Sequence, residues 1–180
     1  MFTDFTASNL GVPRNQDLQY YYEDRSDGSA YRANPAGQNY ADTGVGSFLR
    51  TLESDSGQLN PDSGWVGLAP KFDAKFQVPT LRNVDMRPTA DFVKAYMHNG
   101  YFKSLKEVVH FYNTRDVLPR CKAADPGEKV TCWPPPEDPR NLNKKQLGDL
   151  KLTDQEEDDL VAFLKTLTDD YKVPSRRPER

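Results

Sequence analysis

Apolar residues recur with helical spacing in three short stretches of the chain, and long polar segments rich in turn residues separate them. The first stretch runs from about Asp42 or Thr43 and places four apolar residues on one face: Val45, Phe48, Leu49 and Leu52. Turn signals dominate residues 54–77, where Trp65 and Leu68 are the expected anchors of a loop. We therefore expect short helices joined by long loops.

A second helix is predicted from Ser104 to about Arg115. Ser104 and Glu107 form a capping-box pattern at its start. Its inward stripe, with spacing i, i+3, i+4 and i+7, consists of Leu105, Val108, Val109 and Tyr112. His110 falls near the opposite face, where we expect it to be solvated. That leaves His98 as the histidine of chemical interest.

The last helix is predicted to begin at a second capping box, formed by Thr153 and Glu156. Its expected buried stripe is Leu160, Phe163, Leu164 and Leu167. Residues 1–170 are predicted to form one domain, and residues 171–180 a polar tail.

The long proline-rich connection at residues 116–150 contains the two cysteines, Cys121 and Cys132. They lack Cys-x-x-Cys spacing, and no nearby histidine could complete a zinc site. A long loop inside a compact domain is usually functional, cross-linked or disordered. A local disulfide is the first interpretation and would imply an oxidising compartment; two free thiols are the alternative.

Composition narrows the class of protein. Only 36% of the 180 residues are apolar, so either the domain is rich in loops or a bound group such as a porphyrin completes its core. The net charge of −3, with scattered basic residues, predicts no nucleic-acid partner. No apolar run approaches the roughly 20 residues of a membrane span. Signatures of hydrolases, of P-loops and of dinucleotide binding are all missing from the sequence.

What remains is the group His98, Met97 and Tyr112, whose side chains are of the types that contact or ligate a haem iron. Several motifs around them occur in a fixed order: Phe2 to Pro13, Phe76 to Val84, Tyr96-Met97-His98-Asn99-Gly100, Ser104 to Val109 and Leu152 to Leu167. In this order, from residue 2 to about 168, the chain resembles the C-terminal haem domain of the bacterial di-haem cytochrome c peroxidases, a family that includes the MauG-type enzymes. The resemblance implies an all-α, cytochrome c-like domain with short helices and long loops.

The resemblance also implies roles for individual residues. Tyr112 occupies the position of the distal axial ligand of the C-terminal haem, which is a methionine in some members and a tyrosine in others. His98 would be the catalytic residue that shapes the haem pocket, or else a structural histidine held by hydrogen bonds. Met97 would contact the cofactor or belong to the core. Arg82 would pair with a haem propionate or form a local ion pair.

Two departures from the family pattern qualify these expectations. Covalent attachment of haem c requires Cys-x-x-Cys-His, which supplies both thioethers and the proximal ligand, and this sequence lacks it. In the family that motif comes shortly before the segment at which this chain starts, so we expect a chain truncated at its N-terminus. Calcium binding, which the family resemblance would imply, is in doubt for this chain. Phe92-Val93-Lys94-Ala95 stands where the family has Thr-x-Pro, and an extra stretch from Arg87 to Asp91 precedes it.

The expected function is that of a periplasmic, haem-dependent oxidoreductase of the cytochrome-c peroxidase type. The intact protein would transfer electrons and reduce hydrogen peroxide, whereas this chain alone would be inactive. Its partners would be the N-terminal haem domain of the same protein and a small electron donor of the cytochrome c or cupredoxin type. The alternatives are MauG-like oxidation of a partner protein and a haem-free structural or binding remnant of the fold.

Overall fold

The computed structural model describes residues 3–22, 34, 36–54 and 64–169, with the backbone alone at 52–54. The described residues contain four α-helices: α1 (Val45–Ser54), α2 (Trp65–Phe72), α3 (Leu105–Thr114) and α4 (Asp154–Thr166). Two-residue strands, β1 (Ala7–Ser8) and β2 (Phe76–Gln77), pair antiparallel, and two 3₁₀ turns lie at Gln19–Tyr22 and Gly37–Asn39. The predicted tail and the side chain of Leu52 fall outside the described residues.

The three predicted helices are confirmed, and side-chain caps fix where two of them begin. The Thr153 Oγ1 atom accepts a hydrogen bond from the Glu156 backbone N–H, and the Glu156 carboxylate accepts one from the Thr153 N–H, which completes a capping box. At α3 the Ser104 hydroxyl accepts from the Glu107 N–H at 3.1 Å. The Glu107 carboxylate, however, accepts from the N–H of Lys103. The reciprocal contact at α3 is thus displaced by one residue.

Helix α2 was not predicted, and the two expected loop anchors are wrong. Trp65 and Leu68 lie on the exposed side of α2, whose buried residue is the small Ala69. The helix packs against α1. Turn residues around this eight-residue helix obscured its short apolar pattern.

An ion-pair chain joins the α1–α2 pair to the segment after the cysteines. The Asp73 carboxylate lies 2.5 Å from the Arg50 guanidinium and 2.7 Å from that of Arg140, and Arg140 also pairs with Asp138. The hydrogen bond from Arg50 and the positive charges of both arginines lower the pKa of Asp73 although burial opposes this. The side-chain amide of Asn141 donates to the carbonyls of Pro70 and Asp73. Helix α2 therefore ends at a fixed position.

The hydrophobic core lies around α3 and is mainly aromatic. Its buried members are Val12, Tyr96, Tyr101, Phe102, Leu105, Phe111, Trp133 and Leu147. Val161 and Leu164 of α4 pack against it, whereas Leu160 and Phe163, predicted to be buried, are exposed. The stripe of α4 is rotated because a buried carboxylate, that of Glu157, faces α3. The amphipathic pattern could not reveal this, since it counts an acid as an outward residue.

Helices are thus the longest regular elements of the described residues, and the remainder is irregular backbone joined by isolated bridges. None of the described helices combines the length and the apolar character that crossing a membrane would require. The cytochrome c-like class stays a prediction.

Candidate functional site

The tyrosine–methionine–histidine motif forms a tight loop between α2 and α3, which we call the histidine loop (residues 96–102). The N–H of Tyr96 donates to the carbonyl of Phe102 at 2.9 Å and closes the loop. Two positions inside it have left-handed backbone, Met97 with φ of 67° and Gly100 with φ of 64°. Such backbone is routine for glycine and costs other residues about 1–2 kcal/mol. The turn directs Met97 onto the core.

Asparagine side chains fix the histidine loop to the start of the chain. The Asn99 amide donates to the carbonyl of Pro13 at 2.8 Å, and the Asn15 amide donates to the carbonyl of Asn99 at 2.9 Å. Within the loop, Asn99 Oδ1 accepts from the N–H of Tyr101. Both asparagines are buried. The direction of the loop therefore depends on residues more than 80 positions earlier.

His98 is largely enclosed although its backbone lies at the surface. Its side chain is 17% exposed, and its ring stacks on Phe76 with 3.7 Å between centroids and 9° between planes. Its Nε2 atom lies 3.7 Å from Oε2 of Glu137. The aromatic stack fixes the plane of the imidazole, and the carboxylate lies along one edge of it.

Glu137 was not predicted as a site residue, although its carboxylate lies beside His98 and makes several further contacts. Its carboxylate, 3% exposed, accepts hydrogen bonds from the Tyr21 hydroxyl at 2.6 Å and from the Asn99 amide at 3.4 Å, and Arg14 Nε lies 3.4 Å away. Burial raises the pKa of Glu137, but the contacts with His98, Tyr21 and Arg14 outweigh burial and lower it overall. An acid within a proline-rich segment gives no sign of this in the sequence.

Tyr112 faces inward from α3, as its helical phase predicts. It packs, half-buried, against the same core cluster as Met97. Burial raises the pKa of its phenol, and within the described part of the chain its hydroxyl has no hydrogen-bond partner. Met97 and Tyr112 thus pack against the same core cluster, whereas His98 contacts Phe76 and Glu137.

Arg82 forms the local ion pair that was one of its two predicted roles. Its guanidinium lies 3.2 Å from Asp169, just after α4, and Asn83 bonds to the same carboxylate. The side chain is well exposed. Arg82 therefore joins the chain after α4 to the segment before the histidine loop, and the structure does not bring it together with His98.

His110 was predicted to be solvated, and that prediction is wrong. Its Nδ1 lies 3.0 Å from the Glu157 carboxylate, and its Nε2 lies 3.0 Å from the carbonyl oxygen of Val130. Its ring lies 5.7 Å from that of Trp133. The polar face of α3 is covered because α4 presents its buried carboxylate there, so the face opposite the apolar stripe is also an internal contact.

Cys121 and Cys132 form a disulfide with an S–S distance of 2.05 Å, and neither cysteine is free. The enclosed loop is attached to the histidine loop. The Tyr101 hydroxyl donates to Glu128 at 2.5 Å, and the Lys129 ammonium donates to the carbonyl of Tyr101 at 2.9 Å. The disulfide-closed loop therefore contacts the histidine loop at Tyr101, and its sulfurs cannot form thioethers with a haem.

The side chains present suit a haem in one respect and not in another. A half-buried phenol without a hydrogen-bond partner in the described residues, as at Tyr112, is of a type that ligates haem iron. Large apolar side chains also lie at the surface: Phe48, Trp65, Phe92 and Phe163. Attachment through this chain's own cysteines does not fit. Among the described residues no group of three or more His, Cys, Asp or Glu side chains could hold a free metal ion.

Comparison with known proteins gives relatives named as MauG or as peroxidases. No family model matches the chain. The methylamine utilization protein MauG of Paracoccus denitrificans is 32% identical over 169 residues, covering 93% of this chain and 35% of the relative. The cytochrome-c peroxidase IdrP1 of Denitromonas iodatirespirans is 28% identical over 181 residues, covering 92% of this chain and 36% of the relative.

A solved structure agrees with the sequence relatives. A variant of the diheme peroxidase BthA from Burkholderia thailandensis superimposes with a TM-score of 0.55 at 28% identity, covering 93% of this chain and 33% of that one. The chain thus spans about a third of the length of the proteins it matches. Over the part that it shares with them, the chain belongs to the di-haem cytochrome c peroxidase and MauG family.

Proposed function

We propose that this chain is the C-terminal, haem-enclosing part of a periplasmic di-haem oxidoreductase of the cytochrome-c peroxidase type. The observation that carries the proposal is the phenol of Tyr112, which faces inward, packs on the core and has no hydrogen-bond partner among the described residues. Cytochrome-c peroxidase and diheme peroxidase relatives that share this stretch support the reaction class. Hydrogen peroxide would be the substrate of the intact protein.

In this proposal the haem supplies the redox-active iron, and the chain supplies its surroundings. Tyr112 would be a ligand of the haem iron. Loss of its phenolic proton would require a nearby positive charge, because burial alone raises the pKa of the phenol. Met97 would line the pocket from the histidine loop. His98 would take part through its imidazole, whose plane Phe76 fixes.

The remaining parts of the site would come from outside these residues. The two cysteines are bonded to each other, so the proximal ligand and the attachment thiols of a haem c would lie elsewhere in the intact protein. Its other haem domain and a small electron-donor protein, of the cytochrome c or cupredoxin type, are the proposed partners. Calcium is not part of the proposal.

The test is Tyr112→Phe in the intact, haem-loaded protein. The substitution removes one oxygen and keeps the aromatic ring, so the helix and core should persist. We expect a changed optical spectrum of the C-terminal haem and altered peroxidase turnover. Tyr22→Phe, at an exposed tyrosine, is the matched control and should change neither. An unchanged spectrum and turnover in Tyr112→Phe would refute the ligand assignment.

A haem-free binding or structural module is the second candidate, and the engagement of both cysteines in a disulfide favours it. Absorbance separates the two. A Soret band in the purified intact protein, retained after denaturation because the haem is covalently linked, supports the oxidoreductase. A protein that folds without such a band supports the module.

A further inference from the structure

His98 has two ring nitrogens, and the structure treats them differently. Nε2 lies 3.7 Å from the Glu137 carboxylate. Nδ1 has no hydrogen-bond partner among the residues that the structure describes. We propose that Glu137 is a positioning residue for His98: it keeps the proton on Nε2 and leaves Nδ1 as the nitrogen that exchanges protons in the pocket. The pocket role of Nδ1 rests on the proposed function, whereas the proton assignment does not.

Stacking alone cannot distinguish the two nitrogens. Phe76 contacts the face of the imidazole. A half-turn of the ring about its bond to Cβ would preserve that stack but would bring the Nδ1–Cε1 edge to the place of the Cδ2–Nε2 edge. Only a polar group beside one edge breaks this equivalence. Glu137 is that group, since its carboxylate faces Nε2 at ion-pair distance.

The charge of Glu137 sets the direction of the proton. The carboxylate is acceptor-only when ionised, and the lowered pKa of Glu137 means that it is ionised near neutral pH. A negative charge beside one edge of a neutral imidazole favours the tautomer whose N–H points toward it. At 3.7 Å the preference is electrostatic rather than a close hydrogen bond.

The position of Glu137 is itself fixed by the backbone. Its N–H donates to the carbonyl of Val12 at 3.0 Å, and Pro136 pairs with Pro13 as an isolated bridge. The charged and polar groups that face the carboxylate come from three segments: Arg14, Tyr21 and Asn99. Tyr21 and Asn99 donate hydrogen bonds, and Arg14 adds a positive charge at 3.4 Å. The carboxylate thus cannot rotate away from His98 without losing these contacts.

The test reads the ring nitrogens of His98 directly. In protein with ¹⁵N-labelled histidine, the two ¹⁵N shifts report which nitrogen carries the proton, and His98→Gln assigns the signals. We expect the Nε2–H tautomer in the unsubstituted protein at a pH where the ring is neutral. Glu137→Gln should raise the Nδ1–H share several-fold, because its amide N–H can donate to Nε2. Tyr21→Phe, the matched control, keeps the carboxylate and should keep the Nε2–H form.

Each outcome decides the matter. An unchanged tautomer in Glu137→Gln, with the far-ultraviolet circular dichroism unchanged, would overturn the proposal, and so would an Nδ1–H majority in the unsubstituted protein. Should Glu137→Gln fail to fold, that second measurement still decides. Peroxidase turnover is measured separately. If Glu137→Gln loses the Nε2–H tautomer but keeps normal turnover, His98 takes no part in the reaction, whereas Glu137 still positions the His98 ring.

Discussion

The Nδ1 atom of His110 lies 3.0 Å from Oε1 of Glu157, across the contact between α3 and α4. Nε2 of the same ring faces the carbonyl of Val130. Burial raises the pKa of Glu157, but hydrogen bonds from Asn113, His110 and Lys106 outweigh it and lower the pKa overall. The Glu157 carboxylate also accepts a hydrogen bond from the side-chain amide of Asn113 at 2.7 Å, and the Lys106 ammonium lies 3.1 Å away. The two helices are therefore joined through one buried carboxylate of α4 that side chains of α3 surround.

Glu157→Ala should destabilise the protein by about 3 kcal/mol, because the Asn113 amide and the His110 ring lose their buried hydrogen-bond partner. The side chain of Glu157 is 1% exposed. Asp158→Asn is the matched control: it also loses a pair with Lys106, but at an exposed site, and should cost about 1 kcal/mol or less. Urea unfolding of both variants measures the difference. Equal losses would contradict a buried pair.

Stability should fall on acidification below about pH 4.5, the ordinary pKa of a glutamate. The pKa values of Glu137 and Glu157 are lowered in the folded protein, so the unfolded chain binds protons more readily. Their contribution is complete above the unfolded pKa and is lost as the pH falls through the lower, folded one. Free energies of unfolding between pH 7 and pH 3 should decline less steeply in Glu157→Gln. An identical slope would exclude Glu157 as a source of the decline.

Phe111→Ala and Phe163→Ala should differ strongly although the substitution is the same. Phe111 is fully buried between Phe102 and Trp133, so its removal leaves a cavity and should cost about 3–5 kcal/mol. Phe163 is 50% exposed on α4 and should change stability by about 0.5 kcal/mol or less. Thermal unfolding of the two variants checks this. A large loss at Phe163 would mean that the side chain is covered in the protein studied.

Thr153→Ala should cost about 1 kcal/mol, because it removes the hydroxyl that caps α4. The control is Thr166→Ala, at the other end of the same helix, where the hydroxyl bonds to the carbonyl of Phe163 and caps no free N–H. We expect a smaller loss there. Chemical denaturation compares the two, and a larger effect at Thr166 would contradict the importance of the cap.

Local signals in the sequence predicted the helices that begin at caps, and the inward phase of Tyr112. Such features depend on neighbours within a few residues, so they can be recognised without the fold. The motif resemblance likewise identified the family, because it rests on residue types in order.

Contacts between distant segments could not be predicted in this way. His110 and Glu157 become an internal pair only because α4 crosses the polar face of α3. Glu137 reaches His98 only because Pro136 pairs with Pro13 near the start of the chain. In both cases an ionisable residue that resembles a surface residue is buried by a partner whose position the sequence does not specify.

The bond from the Asn99 amide to Pro13 joins residues 86 positions apart. Contacts of such high sequence separation form slowly, because a long loop must close before they stabilise anything. The histidine loop should therefore acquire its final geometry late in folding, when the start of the chain docks on it. The placement of His98 would then be completed together with the core, because the same loop contributes Tyr96, Tyr101 and Phe102 to that core.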